Sequence, residues 1–156
     1  MSRDNLIDER CYSFALRIVR LCKYLNKQCS EYVLSKQVLR SGTSVGAQMR
    51  EAKFAQSRAD FINKASIALK EANETIYWLE LLHDSEYIND KMFASIHNDA
   101  EEILSILVKI VKTTKINSAK YFQSMALLSL PFNAGKVSPL IWILSSINIF
   151  LNFSGE

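Results

Sequence analysis

Two acid–histidine pairs come nearest in this sequence to a metal-binding or catalytic motif. Glu80 and His83 have the Glu-x-x-His spacing that di-iron bundles use to place both ligands on one face of a helix. Such a site needs a second pair of this kind, but the other histidine, His97, has Ala94 three residues before it. His97 and Glu101 are instead spaced as an ordinary i,i+4 pair on a helix surface. We expect no metal, no cofactor and no catalytic residue.

A segment with two glycines and three hydroxyl residues, LRSGTSVGAQMREA at residues 39–52, has the composition of a phosphate-binding loop. A phosphate loop needs a preceding strand and a closing Gly-Lys-Ser/Thr, whereas Gly46 is followed by Ala47 and Gln48. Gly42 and Gly46 also lie four residues apart on one helix face, where an interior glycine costs about 1 kcal/mol relative to alanine. We interpret the two glycines as a notch that allows another helix to approach closely.

Charge is divided unevenly along the chain. Residues 10–70 carry twelve Lys and Arg against three acids, and residues 71–102 carry nine acids against one Lys. This division predicts a basic and an acidic surface, which would either bind a polyanion or join subunits head to tail. The alternative is a solvated basic face whose charges pair with the acidic half. Phosphate contacts of this kind depend on salt and do not read base sequence. The candidate nucleic-acid-binding residues are Arg10, Arg17, Arg20, Lys36, Arg40, Arg50, Lys53 and Arg58.

Four amphipathic helices account for the apolar pattern as far as residue 120. Apolar residues recur in alternating steps of three and four, which is the period of one helix face. This spacing predicts helices from about Asn5 to Leu25, from about Glu31, from Ser57 and from about Ile88 to Ile110. Because the turns between them are short, we predict an all-α fold, an antiparallel up-down-up-down four-helix bundle.

Three local signals mark the predicted helix ends. Ser30 is expected to cap the second helix, and Ser57 with Asp60 is expected to form a capping box at the start of the third. Three lysines suit the C-terminus of the fourth helix, where positive charge is favourable. They are Lys109, Lys112 and Lys115.

The composition changes after Lys120, which predicts a bundle domain over residues 1–120 and a C-terminal apolar tail over residues 121–156. Lys136 and Glu156 are the only charged residues in the tail. Its longest apolar cluster, residues 139–153, is shorter than the roughly 20 residues of a membrane-spanning helix. The tail is therefore open to three interpretations: a segment that packs on the bundle or a neighbouring subunit, an extension without a required structure, or a membrane anchor, which is the least favoured.

The three cysteines, Cys11, Cys22 and Cys29, have no metal-binding spacing. An odd number of cysteines without a recognisable secretory leader is typical of reduced thiols in the cytoplasm, and we expect the protein to reside there.

A long motif in the middle of the chain carries a family resemblance. Residues 34–82 read LSKQ-x-LRSGTS-x-GA followed by DF-x-x-K-x-x-IALKEA-x-ET-x-YWL. This pattern resembles the bacterial four-helix-bundle proteins encoded within intervening sequences of 23S rRNA genes, and the similarity covers roughly residues 5–116. The motif positions expected to serve helix packing are Ser41, Gly42, Gly46, Ala47 and Trp78.

The resemblance implies a left-handed antiparallel bundle that assembles as a homopentamer. A more distant similarity is to the accessory variability determinant of diversity-generating retroelements, a basic pentamer that binds nucleic acid and a reverse transcriptase. Together with the charge pattern, this implies a non-enzymatic homo-oligomer that binds RNA or DNA through its basic surface. The alternative is an oligomeric scaffold that recruits a protein partner and binds no nucleic acid. The tail has no counterpart in the family, so nothing is implied for it.

Overall fold

The structure is a computed structural model that describes residues 3–128, with side chains described over residues 7–125. It contains four helices: α1 (Arg3–Gln28), α2 (Leu34–Ala52), α3 (Arg58–Asp84) and α4 (Asp90–Leu128). Residues 3–128 include no strand. The predicted all-α four-helix class is therefore confirmed. The first of two compact units, Met1–Lys120, contains α1, α2, α3 and most of α4.

Each helix of the bundle packs between two others, in the cyclic order α1, α2, α3, α4. Helix α2 packs against both α1 and α3, and side-chain contacts join α4 to α1 and to α3. The core is a column of fully buried apolar side chains, each of which contributes about 1.5–3 kcal/mol when removed from water. Its largest members are Phe14, Ile18 and Leu25 of α1, Val38 and Val45 of α2, Leu79 and Leu82 of α3, and Leu107 of α4.

The glycines of α2 lie where this helix meets α1. Helix α2 runs through both of them without a break. A Cβ atom added at Gly42 would lie 2.7 Å from Cγ1 of Ile18, which is closer than two carbon atoms can pack. One added at Gly46 would lie 3.5 Å from Cβ of Cys11, an ordinary contact distance. The close approach of the two helices therefore requires glycine at position 42, whereas position 46 has room for the Cβ atom of another residue.

The start of α2 differs from the prediction. Its N-cap residue is Val33, which makes no side-chain cap, and Ser30 has φ of 50°, whereas an N-cap serine needs an extended backbone. The carboxylate of Glu31 performs the capping by accepting hydrogen bonds from the backbone N–H groups of Val33 and Leu34 at 2.8 and 2.7 Å, and of Ser35 at 2.7 Å. The prediction that Ser30 caps α2 is wrong because one carboxylate satisfies three backbone donors that a hydroxyl cannot reach.

The capping box at the start of α3 is confirmed. The N-cap hydroxyl of Ser57 accepts a hydrogen bond from the backbone N–H of Asp60 at 3.1 Å. The carboxylate of Asp60 accepts from the backbone N–H of Gln56 at 3.2 Å, one residue earlier than in the usual arrangement.

Helix α4 is much longer than predicted. It continues past Lys109, Lys112 and Lys115 to Leu128, so these lysines do not mark its end. Residues 116–128 contain no glycine or proline, and nothing in the local sequence stops the helix before Pro131. The first eight residues of the predicted tail are therefore helical. The rest of the tail, with its apolar cluster at 139–153, lies outside the described residues, and the domain boundary at residue 120 stays a prediction.

Candidate nucleic-acid interface

Two of the eight candidate basic residues join α1 to α4. Arg10 forms an ion pair with Glu102. Arg17 forms one with Asp99, and its guanidinium also donates to the hydroxyl and the carbonyl oxygen of Ser95 at 2.7 and 3.1 Å. Both arginines therefore bind carboxylates of the acidic half of the chain.

Three more candidates are engaged around α2. Arg40 pairs with Glu74 and lies 3.7 Å from Glu71, both on α3. At the other end of α2, Lys53 donates to Asp8 of α1 at 2.8 Å, and Nε of Arg50 lies 3.7 Å from the same carboxylate. The hydrogen bond from Lys53 holds the pKa of Asp8 below its usual value.

These pairs change the interpretation of the charge pattern. The basic stretch of the sequence forms most of α1, all of α2 and the first half of α3, and the acidic stretch forms the second half of α3 and the start of α4. Because α1 packs beside α4 and α2 beside α3, the two charge types meet along both lines of contact. The expected separation into a basic and an acidic surface is wrong at these two places. Ion pairs this exposed stabilise a fold by at most about 1 kcal/mol each.

The other three candidates, Arg20, Lys36 and Arg58, are exposed and form no ion pair among the described side chains. Arg58 begins α3, at the end of the bundle opposite to Arg20 and Lys36. Lys36 follows Ser35, whose hydroxyl is 3.0 Å from the side-chain oxygen of Asn26 near the end of α1. Arg20 and Lys36 therefore lie towards the same end of the bundle.

Two lysines outside the eight candidates extend this basic region. Lys23 and Lys27 are exposed on α1, three and seven residues after Arg20, and neither forms an ion pair among the described side chains. The seven-residue spacing of Arg20 and Lys27 indicates a basic ridge from the sequence alone, and Lys23 lies on the same helix face. We call the four residues Arg20, Lys23, Lys27 and Lys36 the α1–α2 basic surface.

A groove of about 420 Å³ lies beside this surface, between α1 and α4. Arg20 and Lys91 line it from the two helices, together with Arg17 and Tyr24. The remaining lining includes the apolar side chains Leu21, Met92 and Ile96. A second groove of about 350 Å³ lies farther along the same two helices, and its charged lining residues are Glu9, Arg10, Asp99 and Glu102.

Among the motif residues expected to serve helix packing, Ser41 joins α2 to α3, Trp78 forms a hydrogen bond within α3, and Ala47 lies at the surface. The buried hydroxyl of Ser41 donates to the carbonyl of Gln37 at 3.0 Å and accepts from the hydroxyl of Thr75 at 2.9 Å. The indole N–H of Trp78 donates to Glu74 at 3.1 Å, and this hydrogen bond, with the pairing to Arg40, holds the pKa of Glu74 below its usual value. Ala47 lies exposed in a shallow groove between α1 and α2.

The acid–histidine residues cluster around one aromatic ring. The ring of Phe93 lies between those of His83 and His97, with centroid distances of 4.4 and 4.7 Å. Nε2 of His83 is 2.8 Å from Asp90, and this hydrogen bond raises the pKa of His83. Glu80 lies 3.8 Å from His97. Within the described residues, no three Asp, Glu, His or Cys side chains are arranged to hold a metal ion.

Two of the cysteines are buried thiols. Burial raises the pKa of Cys11 and of Cys22 to about 11, so both stay protonated at neutral pH. Only the thiolate is a good nucleophile or metal ligand. Cys11 packs against Gly46, and the Cys22 thiol donates to the carbonyl of Ser35 at 3.2 Å, so both act as packing residues.

Among residues 3–128, none of the helices combines the length and the apolar character that crossing a membrane requires.

Comparison with known proteins identifies the fold family. The family model for the 23S rRNA-intervening sequence protein matches residues 3–109. Among solved structures, a protein of unknown function from the S23 ribosomal protein family of Bacteroides thetaiotaomicron is 57% identical. The match covers 71% of this chain and 99% of that chain, with a TM-score of 0.70. A search of functionally curated proteins returns no significant match. The chain belongs to the 23S rRNA-intervening sequence protein family.

Proposed function

We propose that this protein is a non-enzymatic, self-associating helical bundle that binds RNA phosphates through the α1–α2 basic surface. The observation that carries the proposal is the set of four cations, Arg20, Lys23, Lys27 and Lys36. All four are exposed at one end of the bundle, and none pairs with a described carboxylate. Membership in a family named for intervening sequences of 23S rRNA supports RNA over DNA as the ligand. We place this activity in the cytoplasm, where the three cysteines would stay reduced.

Binding of this kind has a measurable salt dependence. Each phosphate that a cation neutralises releases condensed counterions, so the logarithm of the binding constant falls with the logarithm of salt concentration. The slope is about −0.7 per phosphate on single strands, and four contacts therefore predict a slope near −3. Base sequence should have little influence, because phosphate contacts carry no sequence information.

The test compares two variants with the same change in net charge. The first carries Lys23→Glu, Lys27→Glu and Lys36→Glu, and the control carries Lys70→Glu, Lys109→Glu and Lys112→Glu, three exposed lysines elsewhere on the bundle. Fluorescence anisotropy with labelled RNA across a salt series should show that the first variant loses binding and flattens the slope. The control should keep most of the affinity. Equal losses in both variants, or no salt-dependent binding by the wild type, would contradict the proposal.

An apolar face on α1 and α2 supports self-association. Tyr12 and Leu16 of α1 are 55% and 40% exposed, and Leu39 of α2 is 37% exposed. A groove of about 210 Å³ beside Tyr12 has small lining residues, among them Ala15 and Gly46. Large apolar side chains next to a small-residue groove can interdigitate with those of a second copy. The number of five subunits rests on the family resemblance.

Mass in solution tests self-association. Leu16→Glu should reduce the mass of the assembly measured by light scattering, because it places a charge in the apolar contact. Tyr77→Glu on α3, where the tyrosine is similarly exposed, is the matched control and should leave the mass unchanged. A wild type that is monomeric at all concentrations would contradict self-association.

An oligomeric scaffold that recruits a protein partner is the second candidate function. Five of the eight candidate cations favour it, because they already bind carboxylates of the bundle itself instead of being free to bind phosphates. The scaffold predicts an assembly of the same mass whose RNA binding is absent or is equally weak in both triple-lysine variants.

A further inference from the structure

We infer that the groove between α1 and α4 receives an unpaired nucleotide of the RNA, an inference that rests on the function proposed above. The groove has a volume of about 420 Å³, within the roughly 300–1,000 Å³ of small-molecule sites. It combines an aromatic ring, three cations and an apolar lining, whereas the α1–α2 basic surface offers cations alone. Those are the features that single-stranded RNA sites share.

The apolar lining and Tyr24 suit a base. Leu21 of α1 and Met92 and Ile96 of α4 line the groove, and the ring of Tyr24, 37% exposed, lines it with them. Every base has an aromatic face, so stacking on Tyr24 requires no particular base sequence. A base placed there would cover apolar surface that is now accessible to water.

Arg20 and Lys91 suit the phosphate. They line the groove from different helices, and neither forms an ion pair among the described side chains. Arg17, the third cation of the groove, differs because Asp99 and Ser95 hold its guanidinium. We therefore assign phosphate binding to Arg20 and Lys91, and assign to Arg17 the joining of the two helices that form the groove.

The position of Arg20 links the groove to the proposed phosphate-binding surface. Arg20 belongs to both, and Lys23 and Lys27 follow it along α1. An RNA backbone that follows these lysines would reach the groove without crossing another helix. This continuity favours RNA over an acidic protein segment as the occupant.

The groove should discriminate between single-stranded and duplex RNA. In a duplex each base is stacked between its neighbours and paired with its partner, so none can turn into a groove of this kind without disrupting the helix. An unpaired nucleotide is free to do so. Duplex RNA would still bind to the lysines through its phosphates, but it would not gain the contact with Tyr24.

The experiment measures the affinity of the full-length protein for a short labelled oligouridylate and for a blunt RNA duplex of the same length. Tyr24→Ala should weaken binding of the oligouridylate about 5- to 150-fold, the range expected for loss of one base–aromatic stack. Duplex affinity should not change. Tyr24→Phe should behave as the wild type, and Tyr77→Ala, an exposed tyrosine of α3 outside both the groove and the apolar face, is the matched control.

A charge reversal on α4 provides a second test that does not depend on Tyr24. Lys91→Glu should weaken oligouridylate binding more than Lys70→Glu, an equal charge change on α3. The inference is wrong, while the proposed function stands, if Tyr24→Ala lowers the affinity for the oligouridylate and for the duplex equally. The same holds if the wild type binds the two RNAs with equal affinity. Loss of assembly mass in Tyr24→Ala with unchanged RNA binding would make the groove a contact between copies. Absence of salt-dependent binding to both RNAs would overturn the proposed function itself.

Discussion

Helix α2 and the line of contact between α1 and α4 are built in different ways. The neighbours of α2 approach it at Gly42 and through the buried Ser41–Thr75 hydrogen bond, and the buried Glu31 carboxylate caps its first turn. Helices α1 and α4 are joined by partly exposed ion pairs between long side chains, with two grooves beside them. The first arrangement determines one geometry, whereas the second leaves surface accessible to a ligand.

This difference explains why the family motif says little about function. Most of the motif lies in α2 and α3, and the residues described here cap helices, pair charges or permit close packing. Buried, satisfied hydrogen bonds of this type specify a structure because leaving one group unpaired costs about 1–3 kcal/mol. The motif is therefore a signature of the fold, and the accessible chemistry lies mainly outside it.

Replacement of Glu31 should have the largest effect on the α2 side of the comparison. Glu31→Ala removes the acceptor of three backbone N–H groups, and we expect the free energy of unfolding to fall by about 2–3 kcal/mol in urea denaturation. Glu31→Gln, which keeps one acceptor oxygen, should lose less. A loss below that of the surface control Glu101→Ala would show that α2 does not need this cap.

The same carboxylate predicts a dependence of stability on pH. Burial alone would raise the pKa of Glu31, but hydrogen bonds from Leu34, Ser35 and Val33 outweigh it and hold the pKa below its ordinary 4.5. A lowered pKa in the folded state means that the contribution is complete above pH 4.5 and is lost as the pH falls through the folded pKa. The wild type should therefore lose more stability than Glu31→Gln on acidification in this range.

The two glycines provide the next largest expected difference. Gly42→Ala should destabilise the bundle by about 1–3 kcal/mol, because the new Cβ would collide with buried Ile18. Gly46→Ala should be neutral or stabilising by up to about 1 kcal/mol, because its Cβ has room and alanine favours the helix. Thermal unfolding of both variants, followed by circular dichroism, measures the difference. Equal melting temperatures would show that α1 shifts readily and that no notch is required.

Removal of the buried hydrogen bond between α2 and α3 should cost less. Thr75→Val keeps the shape of the side chain but removes the hydroxyl that bonds to Ser41, and we expect a loss of about 1 kcal/mol in chemical denaturation. Thr43→Val, which removes a hydroxyl bonded only within its own helix, is the control. A smaller effect for position 75 than for position 43 would argue against a structural role for this hydrogen bond.

The smallest effect is expected between α1 and α4. Arg17→Ala and Asp99→Ala should each lower the free energy of unfolding by less than about 1 kcal/mol, because both side chains are partly exposed and water screens the pair. A double-mutant cycle measures the interaction between them. A coupling as large as the effect of Glu31→Ala would remove the distinction between the two regions.

The sequence predicted the fold better than it predicted the candidate site. Apolar periodicity located four helices, and Ser57 with Asp60 marked the start of α3 correctly. The start of α2 was missed because a carboxylate three residues before the helix replaces the expected serine cap. The end of α4 was missed because lysines favour a helix terminus without enforcing one. In the candidate site, five of eight basic residues bind carboxylates far away in sequence, as Arg40 does with Glu74.

By itself the sequence determined the helices, the all-α class and the family, because periodicity, caps and a long motif act over short stretches of chain. Only the tertiary structure decided which charges remain accessible. Arg17 and Arg20 are three residues apart on the same helix and line the same groove, yet Asp99 pairs with Arg17 whereas Arg20 forms no ion pair among the described side chains. That distinction depends on which helix packs beside α1, since an ion pair between helices requires partners that the chain brings together only when it folds.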